Sequence, residues 1–232
     1  MIPSPQIVEM AGHAGFDWVL IDMEHGTITL ETAELMIMAA EAVGITPIVR
    51  PPSNSSADIT AAMDRGAGGV QVPHVNTVED ARRAVAAVKF GPGDQRGLAA
   101  GTRPDRYGLA EGMPDFVERS NAESLLCIQL EHSSAIDNLD GLLGVEEVDV
   151  FFVGPSDLSQ SMGHPGNPKA EPVTRAIEQT LAKIVAAGRT PGMPAASDNI
   201  GDVLGRGVHY IYTHLPKLLK SGSTEFLRAA GR

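Results

Sequence analysis

Several short apolar runs in this chain end in residues able to do chemistry. FDWVLIDMEHG, Phe16 to Gly26, delivers Asp22, Glu24 and His25, and ITPIVR ends at Arg50. GGVQVPH ends at His74, LLCIQLEH at Gln129, Glu131 and His132, and VDVFFVGPSDLS at Ser156 and Asp157. Two later runs contribute only Ser197 or Asp198, and Thr213 or His214. Taken singly, each is an ordinary solvated or capping residue, and His74 and His132 are read as packing or capping histidines. Taken together, carboxylates gathered at one place repel unless a proton or a cation stands between them. A hard divalent ion held by carboxylate oxygens, with water in its remaining positions, answers that need. GPSDLS could also aim successive backbone N–H groups at a carboxylate or phosphate, although a turn with Asp157 as helix N-cap explains it equally well.

Such a gathering requires elements that bring the run ends to one face. The strand expectations are Asp17–Ile21, Thr46–Val49, Gly69–Val72, Leu125–Leu130, Val148–Val153, Thr190–Pro194 and Val208–Tyr212. They are short and mostly rich in valine and isoleucine. Amphipathic patterns over Leu30–Val43, Ser56–Arg65, Val78–Val88, Val173–Ala187 and Ile200–Arg206 predict helices between them. Glycine stops such as EAVGITPIV and VAAGRTPGM end a helix just before a strand begins. This alternation predicts parallel strands with right-handed crossovers. The first strand ends in acids and a histidine, and no glycine-rich phosphate loop follows it, which argues against a dinucleotide-binding open sheet. The expected fold is therefore a (β/α)8 TIM-type barrel, with chemistry at the C-terminal ends of its strands. Only seven strands are legible, so the first barrel strand reads as short or missing. No linker divides the chain, and residues 1–232 read as one domain; Gly91–Gly112 reads as a long loop or lid.

Composition narrows the function classes. A net charge of -11 over 232 residues argues against nucleic-acid and anionic-membrane partners. No apolar run approaches the roughly 18 residues of a membrane span, and no signal-peptide pattern opens the chain. The single cysteine, Cys127, lies mid-strand, excludes an internal disulfide and fits a reducing cytoplasm. None of the five lysines, Lys89, Lys169, Lys183, Lys217 and Lys220, falls in a strand, so a Schiff-base mechanism is not expected.

The stretches FDWVLIDMEHG, PIVRPP, MDRGAGGVQVPHV, CIQLEH and VFFVGPSDLSQSMGHPG resemble the HpcH/HpaI aldolase family of class II pyruvate aldolases. The resemblance runs from about residue 4 to residue 166 and continues more loosely to the end. It implies a β/α barrel, commonly assembled as a hexamer, a trimer of dimers. It implies that Glu131 and Asp157 hold a Mg²⁺, Mn²⁺ or Co²⁺ ion chelated by a 2-keto acid. Arg50 then stabilises the enolate oxygen, Asp22 orients Arg50, and His25 serves proton transfer and the aldehyde oxygen. Asp64 matches an aspartate that pairs with the histidine across a subunit boundary. Gln129 lines the keto-acid pocket, and backbone N–H groups around Ser156 and Asp157 hold the substrate carboxylate. Glu24 has no assigned role beyond partnering a nearby backbone group or cation. The chain departs from the family in the missing first strand and at Ala100, where many relatives carry a pocket serine.

The expected function is a divalent-metal-dependent aldolase joining a pyruvate-type enolate to an aldehyde, or cleaving that bond. One alternative is a 2-keto-acid decarboxylase or citrate-lyase-like carbon–carbon lyase on the same site. Another is a non-catalytic barrel that binds a carboxylate metabolite through GPSDLS.

Overall fold

The computed structural model describes residues 2–92 and 96–232. Its strands are β1 (Trp18–Asp22), β2 (Thr46–Arg50), β3 (Gly69–Val72), β4 (Leu125–Leu130), β5 (Val150–Val153), β6 (Thr190–Pro194) and β7 (Tyr210–Tyr212). They form one parallel sheet in sequential order, β1 to β7, curled into a nearly closed barrel. The helices are α1 (Pro5–His13), α2 (Leu30–Ala42), α3 (Ser56–Asp64), α4 (Val78–Val88), α5 (Met113–Glu123) and α6 (Ser133–Asp137). They continue with α7 (Leu139–Leu143), α8 (Pro155–Ser161), α9 (Glu171–Ala186), α10 (Ile200–Gly205) and α11 (Leu215–Ala229).

All seven expected strands are present, β3, β4 and β6 at the expected bounds and the others with ends shifted by one or two residues. β5 and β7 each begin two residues late, at Val150 and Tyr210. The five expected helices are present too, while α1, α5, α6, α7, α8 and α11 were not expected. The helix starts follow local chemistry. Thr29, Ser55 and Thr77 each accept a backbone N–H from the first turn of the helix they precede. At Thr77 the bond is reciprocal, because Asp80 reaches back to the Thr77 N–H. The Gly91–Gly112 segment contains a 3₁₀ turn over Arg103–Gly108; residues 93–95 of that expected loop lie outside the described residues.

Two layers form the core. Helix faces pack on the outside of the strands through Ile21, Val49, Val70, Val72, Ile128, Leu130, Phe151 and Val153, all buried. Inside the barrel lie Cys127, Val150, Phe152 and Tyr210, with Trp18, Leu125 and Tyr212 against them. No hydrogen bonds join β7 back to β1 among the described residues. The interior is filled across that seam by side chains instead. Trp18 of β1 stacks on Tyr210 of β7 with ring centroids 4.3 Å apart, and Phe152 lies parallel to Tyr212 at 5.1 Å. Gly192 makes room for this cluster, since a Cβ there would sit 2.9 Å from Phe152 and 3.0 Å from Tyr210. No helix among the described residues is long and apolar enough to cross a membrane.

Gly69 lets β3 lie close against β4 where it enters the barrel. A Cβ on Gly69 would lie 2.4 Å from the Leu125 carbonyl oxygen and 2.8 Å from the Leu125 Cβ. Gly69→Ala is expected to push β3 from β4 and to destabilise the fold by about 1–3 kcal/mol. The urea-unfolding midpoint reads this directly, and an unchanged midpoint would show that the two strands separate freely.

Candidate active site

Period-two alternation decides which residues enter the barrel. Along β4, Cys127, Gln129 and Glu131 share the inner face, while Leu126, Ile128 and Leu130 pack outward. Asp22 and Arg50 are register partners at the ends of β1 and β2. Their side chains meet as a two-pronged pair: Arg50 Nε donates to Asp22 Oδ1 at 2.9 Å and Nη2 to Oδ2 at 2.7 Å. Both residues are buried.

Asp22 also organises the turn that follows it. Its Oδ1 accepts the backbone N–H groups of Glu24, at 3.1 Å, and His25, at 3.3 Å. Burial pushes the Asp22 carboxyl up, but the hydrogen bonds and charge of Arg50, with the His25 N–H, outweigh it and hold the group below its ordinary value. Asp22 is thus a fixed anion, and Arg50, for the same reasons, a fixed cation.

The next circle is built around Gln129. Its Oε1 accepts from Arg50 Nη1 at 3.3 Å and from Gln71 Nε2, and its Nε2 donates to Glu131 Oε2 at 2.6 Å. Gln71 Oε1 in turn accepts from the Tyr210 hydroxyl at 3.2 Å. Glu131 Oε1 accepts the His74 backbone N–H at 2.7 Å. Burial pushes the Glu131 carboxyl up; His74 pulls it down, but Glu24 and Asp157 push it up again, and the net shift is upward.

Glu24 and His74 complete the cluster. Glu24 Oε1 lies 3.0 Å from His74 Nε2, and its Oε2 lies 3.2 Å from Arg50 Nη1 and 3.6 Å from His25 Nε2. The ligand atoms of Glu24, His74 and Glu131 all lie within 4.8 Å of one another. Glu24 therefore partners a cation, Arg50, as its position after β1 suggested. His74, expected as a packing or capping residue, is corrected: it turns across the mouth with Nδ1 3.2 Å from Glu131 Oε1. His132 does cap, accepting the Ser134 N–H at the start of α6.

Asp157 and Ser156 lie in the first turn of α8, exposed at the same mouth, with Gly154 and not Asp157 as the N-cap. Gly154 lets this turn approach Glu131, whose Cβ would be 3.0 Å from an added Cβ. The Asp157 side chain has no hydrogen bond or ion pair among the described residues and stands outside the Glu24–His74–Glu131 cluster. Asp64 is not brought to the mouth of its own chain. It ends α3 at the opposite end of the barrel and accepts from Arg96 Nη2 at 2.6 Å.

Sequence reasoning passed over Gln71, Tyr210 and Tyr212. A glutamine inside an apolar strand was the available signal for the first. Tyr212 stands within electrostatic reach of Arg50, Asp22 and Glu131, and burial pushes its hydroxyl up to about 12.

After the Asp22–Arg50 pair cancels, Glu24, Glu131 and Asp157 still face one mouth against two histidines. Glu24 Oε2 is buried without a hydrogen bond. An acid-rich, oxygen-donor site of this kind suits a divalent cation. A parallel barrel with such a mouth defines an enzyme class that polarises an oxygen-bearing small substrate.

Comparison with known proteins makes the class specific. The HpcH/HpaI aldolase/citrate lyase family model matches residues 2–210. The 2-keto-3-deoxy-L-rhamnonate aldolase of Escherichia coli K12 is 34% identical over 221 residues, covering 94% of this chain and 82% of that protein. The pyruvate aldolase of Rhizobium etli is 35% identical over 192 residues, 83% and 74% of the two chains. The crystal structure of a family protein from Burkholderia cenocepacia J2315 superposes with a TM-score of 0.93 at 28% identity, covering 100% of this chain and 92% of that one. The chain belongs to the HpcH/HpaI aldolase/citrate lyase family, a divalent-metal-dependent family, and is a carbon–carbon lyase of the aldolase type.

The fork that holds Arg50 gives a direct test. Asp22→Asn removes the anion that aims the guanidinium and leaves a buried cation short of its partner. Turnover is expected to fall on the order of 10–100-fold with the barrel still folded, read by steady-state kinetics beside circular dichroism. Unchanged kinetics would show that Gln129 and Glu24 alone hold Arg50.

Proposed function

We propose that this protein makes or cleaves the bond between the enolate of a pyruvate-type 2-keto acid and an aldehyde. The observation carrying this reading is Arg50, clamped by Asp22 on one side and facing an incompletely neutralised acid cluster on the other. A divalent ion, Mg²⁺, Mn²⁺ or Co²⁺, held through Glu131 and Asp157, would supply Lewis acidity at the keto acid. The site fits such an ion because Glu131 keeps lone pairs beyond its bonds to His74 N–H and Gln129, and Asp157 is free at the rim.

Enolate formation places negative charge on what was the ketone oxygen. Arg50 answers it with a guanidinium that needs no reorientation, because Asp22 already fixes two of its donors. Gln129 shapes the pocket floor, and the backbone N–H groups around Ser156 and Asp157 would receive the substrate carboxylate. His25 is half exposed at the mouth, with Nε2 turned toward Glu24. That position suits it to give a proton to the aldehyde-derived alkoxide and to take one in the reverse direction.

Asp64 would serve a neighbouring copy, since its own chain carries it to the far end of the barrel; a hexamer built as a trimer of dimers would provide that neighbour. A buried Cys127 thiol agrees with a reducing cytoplasm.

The test follows exchange of the pyruvate methyl protons for deuterium by nuclear magnetic resonance, using chelator-treated protein with and without added Mg²⁺, Mn²⁺ or Co²⁺. Metal-dependent exchange is expected, and Arg50→Lys should slow it by about 10²–10³-fold. Absence of exchange with every ion would overturn the enolate reading. Carbon dioxide release from oxaloacetate without aldehyde-dependent product would assign the site to a decarboxylase instead.

A further inference from the structure

His74 is the residue at this mouth that neither the sequence nor the proposed reaction absorbs. Its backbone is left-handed, with φ 57°, which few residues other than glycine adopt. That conformation has two consequences. The His74 N–H donates to Glu131 Oε1 at 2.7 Å, and the ring turns back so that each nitrogen faces a carboxylate. Nδ1 lies 3.2 Å from Glu131 Oε1 and Nε2 lies 3.0 Å from Glu24 Oε1. The ring remains 60% exposed while the two acids are 5% and 7% exposed, so the imidazole lies over a buried acid pair.

We propose that His74 is a ligand, through Nδ1, to the same divalent ion as Glu131, with Glu24 accepting the Nε2–H behind it. This rests on the metal-dependent reading above and names a nitrogen donor within that site. The spacing supports it. Two ligands about 2.1 Å from one ion are roughly 3.0 Å apart in an octahedral shell and roughly 3.4 Å apart in a tetrahedral one. The observed 3.2 Å falls between. The arrangement behind the ring also fits, because a metal-bound histidine almost always donates its other N–H to a carboxylate, carbonyl or water. Glu24 supplies that carboxylate and is itself anchored: its Oε2 is buried, takes no hydrogen bond, and sits 3.2 Å from Arg50 Nη1. An imidazole among oxygen donors shifts preference from Mg²⁺ toward Mn²⁺, Co²⁺ and Zn²⁺.

The experiment loads chelator-treated full-length protein with Mn²⁺ and records pulsed electron paramagnetic resonance for ¹⁴N coupling, alongside calorimetric titrations with Co²⁺ and Mg²⁺. His74→Asn is the informative variant, because asparagine tolerates the left-handed backbone and keeps the N–H bond to Glu131. His25→Asn controls for the other histidine. Expected are an imidazole ¹⁴N coupling in the native protein and in His25→Asn, its loss in His74→Asn, and a Co²⁺ affinity weakened 10–100-fold in that variant against less than about 3-fold for Mg²⁺. Mn²⁺ bound without ¹⁴N coupling, or with coupling that survives His74→Asn, would overturn the ligand role and leave the aldolase reading intact. No binding of any ion, with no deuterium exchange, would overturn both.

Discussion

The rest of the site depends on the pairing of Asp22 with Arg50. Parallel register sets their Cα atoms side by side at the ends of β1 and β2, and both Asp22 oxygens are taken by the guanidinium. A buried pair of this kind gains little net stability, because both charges lose water. Its value is directional. With Nε and Nη2 committed, Nη1 has one place to go, between Gln129 and Glu24. The same Asp22 oxygen that holds Nε also accepts the N–H groups of Glu24 and His25. One carboxylate thus aims the cation and folds the turn bearing the next acid and the histidine.

Much of this was legible in the chain because strands and side chains obey a period of two. CIQLEH alternates inward and outward, so Gln129 and Glu131 had to share a face, and DMEHG had to emerge at a strand end. What stayed hidden depends on non-local contacts or on backbone sign. His74 follows Pro73 and looks like a turn residue; only its positive φ sends the ring inward. Gln71 drew no reading from the sequence, and its role appears once β3 and β4 are paired through Gln71 and Cys127. The Asp64–Arg96 pair joins residues 32 apart, a contact that no local pattern announces. α11 was not expected despite an amphipathic sequence, and it buries none of its residues.

The seam between β7 and β1 shows how the barrel holds its mouth without a closing ladder. No ladder hydrogen bonds join those strands among the described residues, but Trp18, Tyr210, Tyr212 and Phe152 fill the interior beside it. Aromatic rings bury large areas with little rotamer entropy, and stacked or edge-on pairs add about 0.5–1.5 kcal/mol each beyond that area. The cluster also forms a largely apolar floor to the site. Tyr210 is held by its ring in this layer, while its hydroxyl reaches up to Gln71, the first polar group above it.

From that floor a directed chain of donors runs to the mouth. Tyr210 donates to Gln71, Gln71 to Gln129, and Gln129 to Glu131. Arg50 adds a second donor to the same Gln129 oxygen. With two donors on Oε1, the amide cannot flip without facing N–H against N–H, so Nε2 is obliged to point at Glu131. The Arg50 guanidinium and the Glu131 carboxylate are therefore linked through one amide whose orientation each helps to enforce. Glu131 keeps its inward position although burial and two neighbouring acids raise its cost as an anion. That geometry fixes the acid in place and leaves lone pairs of its carboxylate open toward the mouth. Metal binding at such a mouth completes an existing arrangement and need not create one, which is the condition for an electrostatic site that does not reorganise during the reaction.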